Sequence, residues 1–377
     1  MPESRRAYLH VGPPKTGTSY LQSVLWHSSD ALRAQGYTVL PTPAGYGSST
    51  QLMYAVRGRL KKDRDGSSGA EVLRRFTADA RGAQTAHVIV TQEQLAGAGP
   101  KQVQRLYECL PDHEIHLLVT ARSVARQIPS AWQERVKTRS VLAFDDYLRA
   151  VTEHLGDGAA FWKHQDLPEV LRRWGENLPP ERVHVVTVPP PGSPADLLLA
   201  RFCRALGVDP RVLPPVPTRR NSSLGHVQTE VLRRVNVALG DRLPQPRTGY
   251  ARMAKLFLAL RILKPQGGQP ALMPGSAEQW CRDTTRAWSE AIDAAGYDVV
   301  GDLADLVPTQ DHFATGSLSV GDFEVAQSAI EALASIITLR HEESMETDRL
   351  RARVAELEHE REASPLRSLL RQRRRRN

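Results

Sequence analysis

The chain has 377 residues, of which 41% are hydrophobic and 24% charged, enough apolar material for one large α/β domain with additions or for two domains. Six of its eight net positive charges lie in residues 367–377, so the charge does not indicate that the body of the protein binds nucleic acid. Three widely spaced cysteines, an odd number, argue against a disulfide framework and against a zinc site.

We expect neither a signal peptide nor a membrane span. The N-terminus reaches an apolar strand within a few residues and has no signal-peptide core. No apolar run approaches the ~20 residues of a membrane-spanning helix. We therefore expect a cytoplasmic protein, in keeping with its unpaired cysteines.

The first predicted element is a short strand at residues 8–11, which enters a loop rich in glycine and proline. A helix is predicted to begin near Thr18. Such a turn directs several backbone N–H groups and the positive end of a helix at one point, which favours an anion. Gly12 and Gly17 permit a sharp turn and a close approach of a ligand to the backbone. The loop is therefore predicted to bind an anion.

The nearest general pattern for this loop is the P-loop, G-x-x-x-x-G-K-[ST]. Gly12 and Gly17 have its spacing, and Ser19 stands for its hydroxyl residue. The lysine position, however, is occupied by Thr18, and Lys15 lies inside the loop. The displaced lysine disfavours a Mg-nucleotide kinase. An ordinary strand–helix turn with a solvated lysine is the plainer alternative.

Further apolar strands follow, and helical segments separate them. They are predicted at residues 86–91, 115–121 and 183–188. Nearly continuous apolar sequence is typical of parallel strands that are covered on both faces. The alternation predicts an α/β fold, a doubly wound parallel sheet with helices on both faces. Ligands of such sheets bind at the carboxyl ends of the strands, where Lys15, Glu93 and Arg122 all fall.

The segments outside the sheet extend a domain that is predicted to span residues 1–310. Residues 41–70 are basic and are predicted as a solvated loop or frayed helix, with a mobile rim for an anionic acceptor as the alternative. Residues 241–275 are predicted as a helical insertion. Residues 320–363 are predicted as a long helix or a short coiled coil, which would allow a homo-oligomer. Residues 364–377 are predicted as a disordered basic tail that contacts a membrane or another anionic surface.

A second motif lies at the end of the strand that covers residues 115–121. Arg122 follows this strand directly, and Ser130 lies on the predicted next helix, with seven residues between them. A guanidinium can bind two oxygens of a phosphate as a fork, and a serine hydroxyl can bind a third. The pair is predicted to bind a phosphate group, whereas Arg122 alone is also compatible with a surface ion pair.

The segment Pro14-Lys15-Thr16-Gly17-Thr18-Ser19, followed by Arg122 and Ser130, resembles the motifs of sulfotransferases that use 3′-phosphoadenosine 5′-phosphosulfate (PAPS), most closely the bacterial ones. The resemblance covers residues 7–310 and implies their P-loop-like fold. It implies that Lys15 contacts the bridging oxygen of PAPS, that the Pro14–Ser19 segment binds its 5′-phosphosulfate, and that Arg122 and Ser130 bind its 3′-phosphate. It also implies that Arg220 and Asn221 lie in a later loop that closes over the nucleotide.

The sequence departs from the family pattern at two points. Arg122 is followed by Ser123 and Val124 rather than by an acidic or amide residue and a proline. The segment around Arg220 lacks the Gly-x-x-Gly-x-x-Lys form of the cytosolic enzymes.

The implied reaction transfers the sulfuryl group of PAPS, the co-substrate, to a hydroxyl or amine of a small-molecule, glycan or lipid acceptor by in-line displacement. No metal is expected, because the sequence shows no cluster of metal ligands and a sulfuryl group carries less charge than a phosphoryl group. Glu93 is predicted as the general base, with a raised pKa, and Glu134 and His164 are the reserve candidates. His10 and His116 lie within apolar strands and are predicted to be packed.

Two other functions remain open at this stage. One is a P-loop nucleoside-phosphate kinase, which would bind Mg-ATP. The other is a non-catalytic scaffold that keeps the fold and binds a partner through its C-terminal helix and tail. Binding of a 3′-phosphorylated nucleotide distinguishes the sulfotransferase from both.

Overall fold

The computed structural model describes residues 4–60, 62, 66–213, 224–243, 248–316 and 319–363. The chain divides into two compact units. The first comprises Met1–Ser223 and Pro270–Ser319, and the second comprises Leu224–Gln269 and Val320–Asn377.

The strands all belong to the first unit. They are β1 (Arg6–His10), β2 (Tyr37–Leu40), β3 (His87–Thr91), β4 (Glu114–Ala121), β5 (Val183–Thr187), β6 (Met273–Pro274), β7 (Asp298–Val300) and β8 (Phe313–Ala314). Six of them form a parallel sheet in the order β2-β3-β1-β4-β5-β7, and β6 pairs with β8 in a separate parallel ladder. The strand β1 therefore lies between β3 and β4, with Leu9 opposite Val90 on one side and Leu117 on the other.

The helices alternate with these strands along the chain. They are α1 (Thr18–His27), α2 (Ser29–Ala34), α3 (Tyr46–Val56), α4 (Gly69–Gly82), α5 (Pro100–Tyr107), α6 (Val124–Lys137), α7 (Phe144–Thr152), α8 (Asp157–Gln165), α9 (Leu167–Gly175), α10 (Leu197–Leu206), α11 (His226–Leu239), α12 (Thr248–Tyr250), α13 (Glu278–Ala295) and α14 (Asp322–Ala363). A π-helix, Ala251–Leu263, continues α12.

Helices cover both faces of the large sheet. Successive residues of a strand point to opposite faces, so alternate side chains pack against the two helical layers. On one face, Tyr8, Ile89 and Leu118 pack with apolar side chains of α1, α2 and α10. On the other face, where α9 packs against β4, the intervening residues Leu9 and Leu117 are fully buried. The predicted doubly wound parallel sheet is confirmed. The short strand β7 was not predicted, because its three residues carry too little apolar sequence to stand out.

The second unit is built from α11, the π-helix and α14, which pack against one another. Ser328 of α14 donates a hydrogen bond to the side chain of Gln266 at 2.6 Å, and Arg234 of α11 pairs with Asp322 at 2.8 Å. The second unit therefore differs from the predicted helical insertion at residues 241–275. It also includes α11 and α14, which pack against each other although they are distant in sequence.

The long C-terminal helix was predicted correctly, since α14 runs from Asp322 to Ala363. Its pairing in a coiled coil stays a prediction, and residues 364–377 lie outside the described part of the chain. Among the described helices, none combines the length and the apolar content that crossing a membrane would need.

Candidate functional site

The loop between β1 and α1 is the centre of the candidate site. Three of its residues have positive φ angles: Gly12 at 101°, Lys15 at 73° and Gly17 at 85°. A Cβ on Gly12 would lie 2.7 Å from the carbonyl oxygen of Glu93, so only glycine allows this approach. Lys15 adopts a left-handed conformation that is uncommon for a side-chain-bearing residue and is often found at functional sites.

The same loop leads directly into the N-terminus of α1. Gly17 is the residue that precedes the helix, and it has no side chain to cap the first N–H groups. The backbone N–H groups of Tyr20 and Leu21 bond to the carbonyl of Gly17, and those before them have no partner within the helix. With the partial positive charge of the helix end, these donors can bind an anion.

Buried side chains beneath the loop hold it in place. The hydroxyl of Thr16 is fully buried and donates to the carbonyl of Pro13 at 2.6 Å. It also contacts the hydroxyl of Thr120 at the end of β4. From another side, Gln165 of α8 donates to the carbonyl of Pro14 at 2.9 Å. The side chain of Thr16 therefore stabilises the loop. The side chain of Gln165 also stabilises it, although no sequence motif indicated this residue.

Arg122 joins the loop to the end of β4. Its Nη1 donates to the carbonyl oxygen of Lys15 at 2.9 Å, so the two predicted motifs meet. Its Nε is buried and has no hydrogen-bond partner among the described residues. Burial, and secondarily the charge of Arg126, lower the pKa of Arg122 to about 9. An anion at this point would satisfy the free donor and relieve the cost of the buried charge.

Ser130 lies on α6, partly exposed, almost two turns beyond the start of the helix. Its hydroxyl makes no hydrogen bond to Arg122 or to another described residue. The structure thus places it on the helix that follows Arg122, as predicted, without a contact that joins the two. Ser19 lies exposed in the first turn of α1. Arg220 and Asn221 lie outside the described residues.

Two carboxylates lie near the side chain of Lys15. Glu93, just after β3, accepts a hydrogen bond from the hydroxyl of Thr18. Glu134 of α6 lies 3.7 Å from the Nζ of Lys15 and 2.8 Å from that of Lys137. Burial and the charge of Lys137 lower the pKa of Lys15, while the charges of Glu134 and Glu93 oppose this shift. Cations and carboxylates therefore share one small region beside the loop.

His164, the other reserve candidate for the base, is poorly suited to that role. Its Nε2 lies 3.2 Å from the guanidinium of Arg57, and its Nδ1 lies 3.3 Å from the carbonyl of Ala160. With Arg57 donating to Nε2 and Nδ1 donating to Ala160, no lone pair remains to accept another proton. Burial lowers the pKa of His164 to about 4. Arg57, which directly follows α3 in the segment predicted as loop or frayed helix, therefore contacts His164 instead of lying free on a basic rim.

The histidines of the central strands are packed, as predicted. His10 is buried beneath the loop, and its Nδ1 lies 2.9 Å from the hydroxyl of Thr91. His116 is also buried and stacks on His184, with ring nitrogens 3.0 Å apart. Neither residue reaches the region around Lys15. Within the described ranges, no group of three or more histidine, cysteine or acidic side chains is arranged to hold a metal ion.

Comparisons with known proteins give two structural likenesses. The structure is similar to a sulfotransferase from Alicyclobacillus acidocaldarius, with 17% sequence identity and a TM-score of 0.38 over 66% of this chain and 99% of that chain. It is also similar to the sulfotransferase domain from the curacin biosynthetic pathway, with 14% identity and a TM-score of 0.32 over 67% of this chain and 96% of that chain. No protein-family model and no curated protein sequence matches the chain.

The buried His10 predicts how stability depends on pH. Burial lowers its pKa to about 3, whereas an unfolded histidine titrates near ~6.5. Between these values the unfolded chain binds a proton that the folded chain does not, so stability falls as the pH is lowered through this window. His10→Gln should therefore lose about 2 kcal/mol less than the wild type between pH 7 and pH 5, measured by urea unfolding.

The matched control for this measurement is His27→Gln, because His27 is exposed at the end of α1. That variant should keep the pH dependence of the wild type. If His10→Gln has the same slope as the wild type, His10 is not the buried neutral residue that the structure describes.

Proposed function

We propose that the chain is a sulfotransferase that uses PAPS as its sulfuryl donor. The observation that carries the proposal is the 2.9 Å hydrogen bond from Arg122 to the carbonyl of Lys15. It joins a phosphosulfate-type loop to a candidate phosphate-binding arginine at the carboxyl ends of adjacent parallel strands, where such sheets bind nucleotides. A bifunctional anion such as PAPS, with a 5′-phosphosulfate and a 3′-phosphate, suits two adjacent positive subsites.

The residues that face this edge fit the donor. The N–H groups at the start of α1 and the side chain of Lys15 would bind the 5′-phosphosulfate. Arg122, whose buried Nε has no partner among the described residues, would bind the 3′-phosphate together with Ser130. When bound, PAPS supplies a sulfuryl group, and adenosine 3′,5′-bisphosphate is the leaving product.

Lys15 has the central catalytic role in this proposal. Its ammonium group, partly buried beside the helix N-terminus, places positive charge where negative charge develops on the leaving oxygen. The left-handed backbone at Lys15 fixes this position before substrate binds. Positioning and charge stabilisation carry most of the catalysis in group transfers with loose transition states.

Glu93 is the proposed general base, which takes the proton of the acceptor hydroxyl or amine as the new bond to sulfur forms. Its competitor Glu134 already pairs with two ammonium groups, those of Lys15 and Lys137. The carboxylate of Glu93 accepts a hydrogen bond from the hydroxyl of Thr18 and therefore lies beside the loop. The acceptor is proposed to be a small molecule, a glycan or a lipid.

A ligand comparison tests the donor. Adenosine 3′,5′-bisphosphate should raise the melting temperature more than Mg-ATP or ADP does. In Arg122→Ala its affinity should fall about 10-fold or more, the scale of a lost hydrogen bond to a charged group, with little change for AMP, measured by calorimetry. Arg149→Ala is the control, because Arg149 is exposed and pairs with Asp146. A shift with Mg-ATP alone would support a kinase, and no shift with any nucleotide would support a scaffold.

Lys15 can be tested by turnover. Lys15→Ala should lower the rate of PAPS consumption about 10²-fold or more, because one preorganised charge is lost from the transition state. The fold and the binding of adenosine 3′,5′-bisphosphate at Arg122 should survive, since the carbonyl of residue 15 remains. The exposed Lys101 offers a control in Lys101→Ala. Wild-type turnover in Lys15→Ala would refute this role.

The general base is tested by a pair of substitutions. Glu93→Gln keeps the shape of the side chain but removes the base, so kcat should fall about 10²-fold or more while nucleotide affinity changes little. Glu134→Gln should have a smaller effect on kcat. The reverse order, with near-normal kcat in Glu93→Gln, would transfer the role to Glu134.

A further inference from the structure

His312 lies in the first unit, in a part of the chain that no motif singled out. It ends a short 3₁₀ turn, Gln310–His312, and directly precedes β8. In the parallel ladder Phe313 pairs with Met273 of β6, and β6 packs against α6. The ladder therefore brings His312 to the helix that begins just after Arg122 and Ser123.

The side chain of His312 offers a fixed hydrogen-bond donor. Only 8% of the residue is exposed, and its Nδ1 accepts the backbone N–H of Thr309 at 3.1 Å. In the neutral ring the proton must then lie on Nε2. That Nε2 is buried and has no partner among the described residues. A buried donor without a partner costs free energy, which a ligand acceptor at this position would recover.

Two cations lie near the ring of His312, and a second unpartnered donor stands next to one of them in the sequence. Burial, then the charges of Arg126 and Arg122, lower the pKa of His312, while Asp311 opposes them, so the ring is neutral near pH 7. Arg126 donates to the carbonyl of Pro189 at 3.2 Å. The hydroxyl of Ser123, at the N-terminus of α6, is buried and has no partner among the described residues. The ring of His312 therefore lies near two guanidinium groups, and Ser123, with its unpartnered hydroxyl, stands between Arg122 and Arg126 in the sequence.

A missing partner does not by itself indicate a site. His113 has two ring nitrogens that are buried and unpartnered among the described residues, and its position just before β4 is at the opposite end of the sheet. His312 differs from His113 because Arg122 and Arg126 lie near its ring. The Nε of Arg122 is itself buried without a partner among the described residues. An acceptor with several oxygens and negative charge suits such a set of cations and unpartnered donors.

We propose that His312 donates its Nε2–H to the 3′-phosphate held by Arg122, and so helps to select nucleoside 3′,5′-bisphosphates over 5′-monophosphates. This inference rests on the proposed function and adds a specificity residue to it. A neutral ring suits the role, because it donates without adding a third charge to two neighbouring guanidinium groups. Its contribution is independent of Lys15 and of the sulfuryl group.

Two substitutions separate the two ring nitrogens. His312→Asn keeps an oxygen near the Nδ1 position, which can still accept from Thr309, but it removes the donor at Nε2. His312→Gln extends an amide to the Nε2 position and keeps a donor there, but it loses the acceptor for Thr309. A ligand role predicts that Asn is harmful and Gln is tolerated, whereas a purely structural role predicts the reverse.

The measurement is the affinity for adenosine 3′,5′-bisphosphate and for AMP, by calorimetry on the full chain. The ratio of the two affinities should fall about 10-fold in His312→Asn and stay within about 3-fold of the wild type in His312→Gln. His113→Asn is the control and should keep the wild-type ratio. The AMP affinity reports whether each variant is folded.

The outcomes separate the inference from the proposed function. A wild-type protein that binds both nucleotides equally refutes the 3′-phosphate site and with it the inference. A wild-type preference that His312→Asn retains refutes the inference alone and leaves the proposed function standing. Equal loss of both nucleotides in His312→Asn, or loss of the ratio only in His312→Gln, would show that His312 supports the fold and does not contact the phosphate.

Discussion

The parallel pairing of β1 with β3 on one side and with β4 on the other determines where the candidate site residues lie. Because the three strands point the same way, their carboxyl ends bring the loop after β1, Glu93 and Arg122 to one edge of the sheet. Gly12 then allows the loop to approach the backbone of Glu93, where a Cβ would come within 2.7 Å of its carbonyl oxygen. The pairing of the strands and the close packing of the loop backbone therefore position the side chains of the candidate site.

Folding concentrates positive charge at this edge. Burial is the first cause that lowers the pKa of both Lys15 and Arg122, and neighbouring cations add to it. Glu134 and Glu93 offset part of the cost near Lys15. Around Arg122 the balance differs, because no described carboxylate pairs with it and its visible partner is a backbone carbonyl. A polyanionic ligand would supply the missing negative charge, so the energetics favour the same ligand class as the geometry.

The parts of this arrangement that the sequence could predict are those encoded locally. The apolar strands and the spacing of Gly12, Lys15 and Gly17 identified the sheet and the loop, because each signal lies within a few residues. Gln165 and His312 could not be found in this way, since they reach the site through α8 and the β6–β8 ladder, from distant parts of the chain. The packing of α11 with α14 is equally non-local, which is why the division into two units differs from the predicted boundaries.

Lys15 contacts both ends of the proposed nucleotide site, one with its backbone carbonyl and the other with its ammonium group. Its carbonyl accepts from Arg122, whereas its ammonium group lies on the side of Glu134. The left-handed backbone at Lys15 makes both directions available at once. Arg122 holds the loop together with Thr16 and Gln165. Because Thr16 and Gln165 also hold the loop, the proposed 3′-phosphate ligand can be removed while the loop that carries Lys15 keeps its conformation.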